Sequence, residues 1–341
     1  ASGSDTLSTR PRLHSWLLSV YLAALDFPPM RHQALFDHVM SNGLRDWLDG
    51  QSAAREEAKR RNLQILMVGM GLAAAAAIAV MAYMPDQAEF GFVVGALIGG
   101  ITWWMANLPV QAMAKQIKVR ANEELGAALG LSYHLDGTPS SDFELATRMG
   151  LIPSNPDQAD YSDFWEGKFG ESEGTLHEAH LQEYQGEGKN RRLVTVFHGV
   201  VMGYQFARPF TSTTLVRQDM GLFNGLINLG SRFTGLKLEP VKMVHPDFER
   251  RFEVVSTDQV EARYLLHPAF CERLMEMEEA FNGNNMRLAF AQGRVVVVIE
   301  TRDMFESGGI DAEGDDARFA TTIDQLGSLI DLTQTLNERA R

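Results

Sequence analysis

Two long runs without a charged side chain, set close together, limit what this chain can fold into more than any other feature. Residues 63–84 read LQILMVGMGLAAAAAIAVMAYM and residues 90–111 read FGFVVGALIGGITWWMANLPVQ. At a rise of about 1.5 Å per residue, about 20 residues cross a hydrocarbon core about 30 Å thick, so each run is long enough to span. The connecting Pro85-Asp86-Gln87-Ala88-Glu89 carries no cation. Arg55, Lys59, Arg60 and Arg61 precede the first run, and Lys115, Lys118 and Arg120 follow the second. The pattern predicts a transmembrane hairpin with both termini in the cytoplasm, by the positive-inside rule. The juxtamembrane cations are expected to meet anionic headgroups.

The 341-residue chain leaves a stretch after the hairpin long enough for one sizeable core. Three regions are expected: an N-terminal helical segment over residues 1–62, cytoplasmic or interfacial; the hairpin over 63–112; and a cytoplasmic α+β domain over 113–341. A formal charge of −13 and the absence of a basic, aromatic-interleaved stretch argue against nucleic-acid binding. A single cysteine, Cys271, excludes an intramolecular disulfide and fits a reducing compartment. The first run starts too far into the chain for a cleaved signal peptide, so the anchor is expected to be retained. Neither span holds an ionisable group, which disfavours a pump or transporter.

Residues 13–25 (LHSWLLSVYLAAL) are apolar but too short to span; they suit either the membrane interface or a dock on the soluble domain. Helical spacing through Leu35, Val39, Leu44 and Leu48 predicts one helix running unbroken into the first span. After residue 120 the helix is expected to break near Gly130, and residues 142–150 to form a short helix stopped by Gly150. The period then changes. Residues 175–184 and 193–207 flank a glycine-rich turn and predict a β-hairpin, with further strands over 213–217, 236–243, 252–255, 286–290 and 295–300. Helices are expected over 258–266, 268–281 and 319–337, the last keeping Phe319, Ile323, Leu326, Ile330 and Leu336 on one face. This order predicts an α+β fold with a mainly antiparallel sheet and flanking helices. Residues 306–318 (ESGGIDAEGDDAR) read as an acidic linker.

Gly91, Gly95 and Gly99 repeat every four residues, so they share one helix face and mark it as a contact face within the bilayer. Either it packs on residues 73–77 of the same hairpin or it assembles several copies. Phe223, Leu226, Ile227 and Phe233 lie at helix-like intervals in residues 220–236. They are candidates for contact with a membrane surface or subunit, against the plainer reading of a lid over the sheet. His177 and His180 resemble metal ligands, but three residues apart on a strand they point to opposite faces, so no metal is expected. His198 reads as a satisfied strand residue and Cys271 as a buried structural thiol. Asp258 and Glu261 have capping-box spacing, and Glu276, Glu278 and Glu279 read as a solvated helix face. No nucleophile elbow, P-loop or dinucleotide fingerprint is present, so neither catalytic residues nor a cofactor is expected.

The segment LEPVKMVHPDFERRFEVVSTDQVEARYLLHPAFCERL (residues 238–274) resembles the signature of the bacterial domain-of-unknown-function family 3137. Its most recognisable letters are Phe248, Phe252, Ser256, Thr257, Asp258, Gln259, Glu261, Ala262, Arg263 and Tyr264. The upstream VFHGVVMGYQFARPFTSTTLV (residues 196–216) is similar to that family's aromatic-glycine strand and following turn. A helical lead, two spans and then this domain is the family's layout, so the resemblance runs from about Phe36 onward. It implies an integral protein of the bacterial inner membrane, thought of alongside the LemA group, with no agreed reaction. The expected role is binding or scaffolding, with copies of itself or another inner-membrane protein, such as a LemA-like one, as partners. The alternatives are an enzyme using clustered carboxylates or His177 and His180, and a pore built from oligomerised hairpins.

Overall fold

In the computed structural model the two apolar runs lie within two long helices, and both helices continue out of those runs into the base of a β-sheet domain. The structure describes residues 29–84, 88–206, 208–218, 235–280, 285–301 and 304–338. The apolar stretch at 13–25 and the candidates Phe223, Leu226, Ile227 and Phe233 lie outside them. Helix α1 (Pro29–Val39) passes through a π-turn (Met40–Leu44) into α2 (Arg45–Gly50). The expected unbroken helix is therefore interrupted. Gly43 takes φ +106°, a left-handed value that a helix interior does not use, and a second break at Gln51 precedes α3 (Ser52–Tyr83). Helix α4 (Ala88–Leu129) follows, with Pro109 inside it. Its 42 residues make a rod about 63 Å long. Gly130, at φ +74°, then turns the chain straight into the sheet.

The fold is α+β. Among the described residues nine strands form one sheet: β1 (Leu131–Asp136), β2 (Gln158–Phe169), β3 (Ser172–Gln185), β4 (Arg192–Gln205), β5 (Thr214–Gln218), β6 (Glu239–Pro240), β7 (Phe252–Ser256), β8 (Arg287–Ala291) and β9 (Arg294–Glu300). Their order is β1-β2-β3-β4-β9-β8-β5-β7-β6, and every pairing is antiparallel. The strand expected over 236–243 shrinks to Glu239–Pro240, because proline has no N–H with which to continue a ladder. Strands β1 and β2 are additions to the sequence reading. So is α6 (Pro246–Arg251), which joins α5 (Ser141–Arg148), α7 (Gln259–Leu265), α8 (Pro268–Ala280) and α9 (Asp315–Glu338).

Strand alternation divides the core in two. Leu176, Val200, Met202 and Tyr204 face the larger side, where they join Phe270 and Leu274 of α8, and Phe319, Ile323 and Leu326 of α9. Met113, Ile117 and Leu125 of α4 enter the same cluster, as do Val39, Met40, Leu44 and Leu48 from the N-terminal helices. On the opposite face Phe143, Leu145 and Ala146 of α5 cover Ala179, Leu181, Phe197, Val201 and Val298. The hairpin base is thus part of the domain's own core.

Candidate functional site at the base of the hairpin

Where α4 leaves its apolar run, one face must pack on the sheet while its polar groups find partners, since an unpaired buried charge is costly. Lys118 Nζ lies 2.8 Å from Asp163 Oδ2 and 2.5 Å from Glu306 Oε1. Asp163 is 1% exposed, and its other oxygen accepts the Tyr133 hydroxyl at 2.7 Å. It sits at φ +52° where the β2–β3 register slips between Ser162 and Trp165, a bulge that turns its carboxylate toward the helix. Burial raises the Asp163 pKa in spite of its cationic neighbour. Burial also pulls on Lys118, but Asp163 and Glu306 together more than offset it, and its pKa ends above the ordinary lysine value. Burial and the adjacent Asp163 charge push the Tyr133 phenol up as well, so it stays a donor. One turn on, Asn122 donates to the Phe305 carbonyl at 3.2 Å and accepts from Ser307 Oγ at 2.8 Å.

The first helix is tied down from the same side. Arg55, 2% exposed, donates through Nη2 to Asp315 Oδ2 at 2.6 Å, while its Nε and Nη1 have no partner among the described residues. Arg318 bonds the other oxygen of Asp315 at 2.7 Å. Outside this pair, Lys59 meets Asp311 at 3.1 Å and Arg45 meets Asp316 at 3.2 Å. Residues 306–318 are therefore no linker: they are the counter-charge of the hairpin base. Gly308 is pressed against the Ala114 carbonyl and Lys118, where a Cβ has no room. The cations Arg55, Lys59 and Lys118, expected to meet lipid headgroups, are paired within the chain. Arg60 and Arg61 share Glu57 of their own helix, at 2.5 and 2.8 Å, rather than a residue of 306–318.

The three glycines of α4 face α3 of the same hairpin. A Cβ on Gly91 would lie 2.6 Å from Met81 Cγ and 2.9 Å from the Ala77 carbonyl oxygen; on Gly95 it would lie 3.0 Å from Ala77 Cβ, and on Gly99 3.6 Å from Met70 Sδ. Buried Ala73, Thr102 and Ala106 extend this seam of small residues, and Asn62 donates to the Ala106 carbonyl at 2.7 Å. Elsewhere the two helices are bare: only 6% and 11% of their most apolar stretches are buried. Both are long and apolar enough to cross a membrane.

His177 and His180 do point to opposite faces. His177 is buried among Phe143, Tyr161 and Phe164, with neither ring nitrogen hydrogen-bonded to any described residue. Burial lowers its pKa to about 4. On the other face His180 stacks on His198, and His198 Nε2 lies 3.0 Å from Glu178 Oε1. Among the described residues no three His, Cys, Asp or Glu side chains gather as a cation cage. Cys271 is buried and pushed up to about 12, chiefly by burial. Glu278 departs from the solvated face read for it: it is buried and accepts from Gln218 and from Arg251 at 3.5 Å. Glu276 and Glu279 pair with Arg273 and Arg251, each at 2.8 Å.

The STDQVEARY letters hold backbone. Ser256 Oγ meets Thr214 Oγ1 at 2.8 Å, and Thr257 Oγ1 accepts the Thr213 N–H at 3.0 Å. Asp258 caps α7 by accepting from Val260 N at 2.8 Å and Glu261 N at 3.1 Å. Glu261 does not close the capping box; it reaches away to the N–H groups of Thr211 and Ser212, at 3.1 and 2.6 Å. Arg263 donates to the Lys242 carbonyl at 3.0 Å, and Tyr264 takes the Arg208 guanidinium. A motif committed to clamping two connecting segments leaves few of its groups free for chemistry.

Among curated proteins none matches this chain. A crystal structure of the mycobacterial trehalose monomycolate transport factor A, TtfA, is similar at TM-score 0.32 and 11% identity, covering 64% of this chain and 95% of that one. A likeness of that size carries no argument about fold or activity. Residues 195–338, from within β4 to the end of α9 and including the whole backbone clamp, match the family described as protein of unknown function (DUF3137), so this part of the chain carries that family's domain.

Proposed function

We propose that the chain is an integral membrane protein, of a bacterial inner membrane, whose hairpin holds a cytoplasmic α+β domain at a fixed attitude to the bilayer. The domain serves as a non-catalytic platform for copies of itself or another membrane protein. The observation that carries this reading is the contrast along each long helix. The apolar stretches are almost wholly uncovered, whereas their continuations supply Met113, Ile117 and Leu125 to the domain core and Arg55 and Lys118 to buried ion pairs. A soluble protein buries such apolar helices, and a tethered domain has a flexible linker. This chain has neither arrangement. The absence of cations from residues 85–89 supports cytoplasmic ends.

Two measurements test it. Alkaline carbonate should leave the chain in the membrane pellet, and release into the supernatant would overturn the anchor. Spin labels at Lys115→Cys and Glu173→Cys, introduced with Cys271 buried, should give one narrow distance distribution in lipid nanodiscs. A broad one would overturn the fixed attitude. Mass measurement of complexes taken intact from native membranes addresses the platform: a bare monomer throughout would count against it.

A further inference from the structure

Sequence spacing draws attention to His177 and His180, but the sheet makes a different pair. In the β3–β4 register His180 stands directly opposite His198, and their rings stack with centroids 4.6 Å apart and planes 27° from parallel. Glu178, two residues back on the same face as His180, is almost fully buried. Its Oε1 lies 3.0 Å from His198 Nε2 and its Oε2 accepts the Met304 N–H at 3.2 Å. That carboxylate is held from both sides, and it holds the His198 ring in turn. The rings remain reachable: the His198 side chain is 25% exposed, and His180 Nε2 contacts the exposed Thr195 hydroxyl at 2.8 Å.

We propose that His180 and His198 form a two-imidazole site for a divalent transition cation of the zinc or copper kind, with Glu178 as the group that orients His198. Facing positions on adjacent antiparallel strands place Cβ atoms about 5 Å apart, within the span of two imidazoles closing on one ion. With metal–nitrogen distances of about 2.0–2.1 Å and a near-tetrahedral angle, the two ligating nitrogens need to be about 3.3 Å apart. Rings already stacked at 4.6 Å reach this by tilting about their side-chain torsions, with the strands left in place. Imidazole donors select zinc, copper or nickel over magnesium or calcium, and water completes the coordination. A carboxylate on the far nitrogen of a ligating histidine fixes its tautomer and raises its basicity, which is the part Glu178 is placed to play. The bound ion would clip β3 to β4 beside the register irregularity at Leu181/Gln182.

The test is metal titration of the full chain in nanodiscs after chelator treatment. Calorimetry with Zn2+ should show one saturable site in the micromolar range. His180→Asn and His198→Asn should each weaken it by at least about tenfold, and Glu178→Gln by about tenfold, the usual effect of losing an outer-shell partner. His134→Asn, on the exposed face of β1, should leave it unchanged. Binding by both histidine variants as tight as in the parent chain, or no saturable site below about 1 mM, would overturn the proposal. The Cu2+ electron paramagnetic resonance spectrum of the unsubstituted chain reads the ligands without any variant. Coupling to two imidazole nitrogens supports the site, and its absence overturns it.

Discussion

His177 and Asp163 are both ionisable and both nearly sealed from water, and the sheet treats them in opposite ways. His177 has rings around it and no hydrogen-bond partner among the described residues, and burial holds it neutral, with a pKa of about 4. Above about pH 6.5 the imidazole is neutral folded and unfolded alike and has no effect on the balance. Between about 6.5 and 4 the unfolded chain takes up the proton first, so stability falls as pH falls; below about 4 both states are charged and the loss is complete. The full loss is about 3 kcal/mol. His177→Phe keeps a ring in the box and should abolish that slope without lowering stability at pH 7, as urea midpoints from pH 7.5 to 4.5 would read. Asp163, by contrast, keeps its charge partner. Lys118→Met leaves a buried carboxylate with the Tyr133 hydroxyl alone and should destabilise by about 3–5 kcal/mol. Adding Asp163→Asn should restore most of it, because asparagine also accepts the left-handed backbone there. A double variant as unstable as the single would mean that Lys118 acts through something other than this carboxylate.

At the scale of elements, what the sequence reading recovered follows the strength of the local signal. The long apolar runs, the β3–β4 hairpin and α9 carry unmistakable period or punctuation. Strand β2 (QADYSDFWEGKF) has no β-branched residue, and its aromatics Tyr161, Phe164, Trp165 and Phe169 do not alternate across the bulge, so its strand signal is weak. Gly43 and Pro240 likewise act through backbone geometry that periodicity does not register. The glycine series of α4 reads from the sequence as a contact face open to either partner, and within this chain that face lies against α3. That packing ranks the three positions. Alanine should destabilise the hairpin most at Gly91, where Cβ meets the Ala77 carbonyl, less at Gly95, and barely at Gly99, where the contact is ordinary. Thermal melting in detergent, followed by cross-linking between the two helices, measures the order. Gly99→Ala as the worst of the three would place the important contact outside the hairpin.

For the molecule as a whole, the joint is what sequence reading lacks means to see. Arg55 and Asp315 are 260 positions apart, and Lys118 and Glu306 are 188 apart, so neither charge run names its partner. Composition reads one as a headgroup-binding patch and the other as a linker, and folding cancels them against each other. Arg55–Asp315 and Lys118–Asp163 are sealed from water, whereas Arg45–Asp316 and Lys59–Asp311 are exposed, so the energies differ in kind. Exposed pairs contribute about 0–1 kcal/mol and fade with salt, whereas breaking a sealed pair strands a charge and costs about 3–5 kcal/mol. Asp316→Asn and Asp311→Asn should therefore change little. Asp315→Asn should loosen the whole joint, because Arg55, with two nitrogens already unpartnered among the described residues, would keep its charge and lose the Asp315 carboxylate. Limited proteolysis within residues 306–314 should quicken in Asp315→Asn alone, and the label distance between hairpin neck and sheet should broaden in the same variant. Arg55→Met added to it should slow the cleavage again, since the stranded charge is then gone. Equal cleavage rates in all three aspartate variants would mean that the hairpin is held by the apolar packing of Met113, Ile117 and Leu125, with the buried pair a passenger.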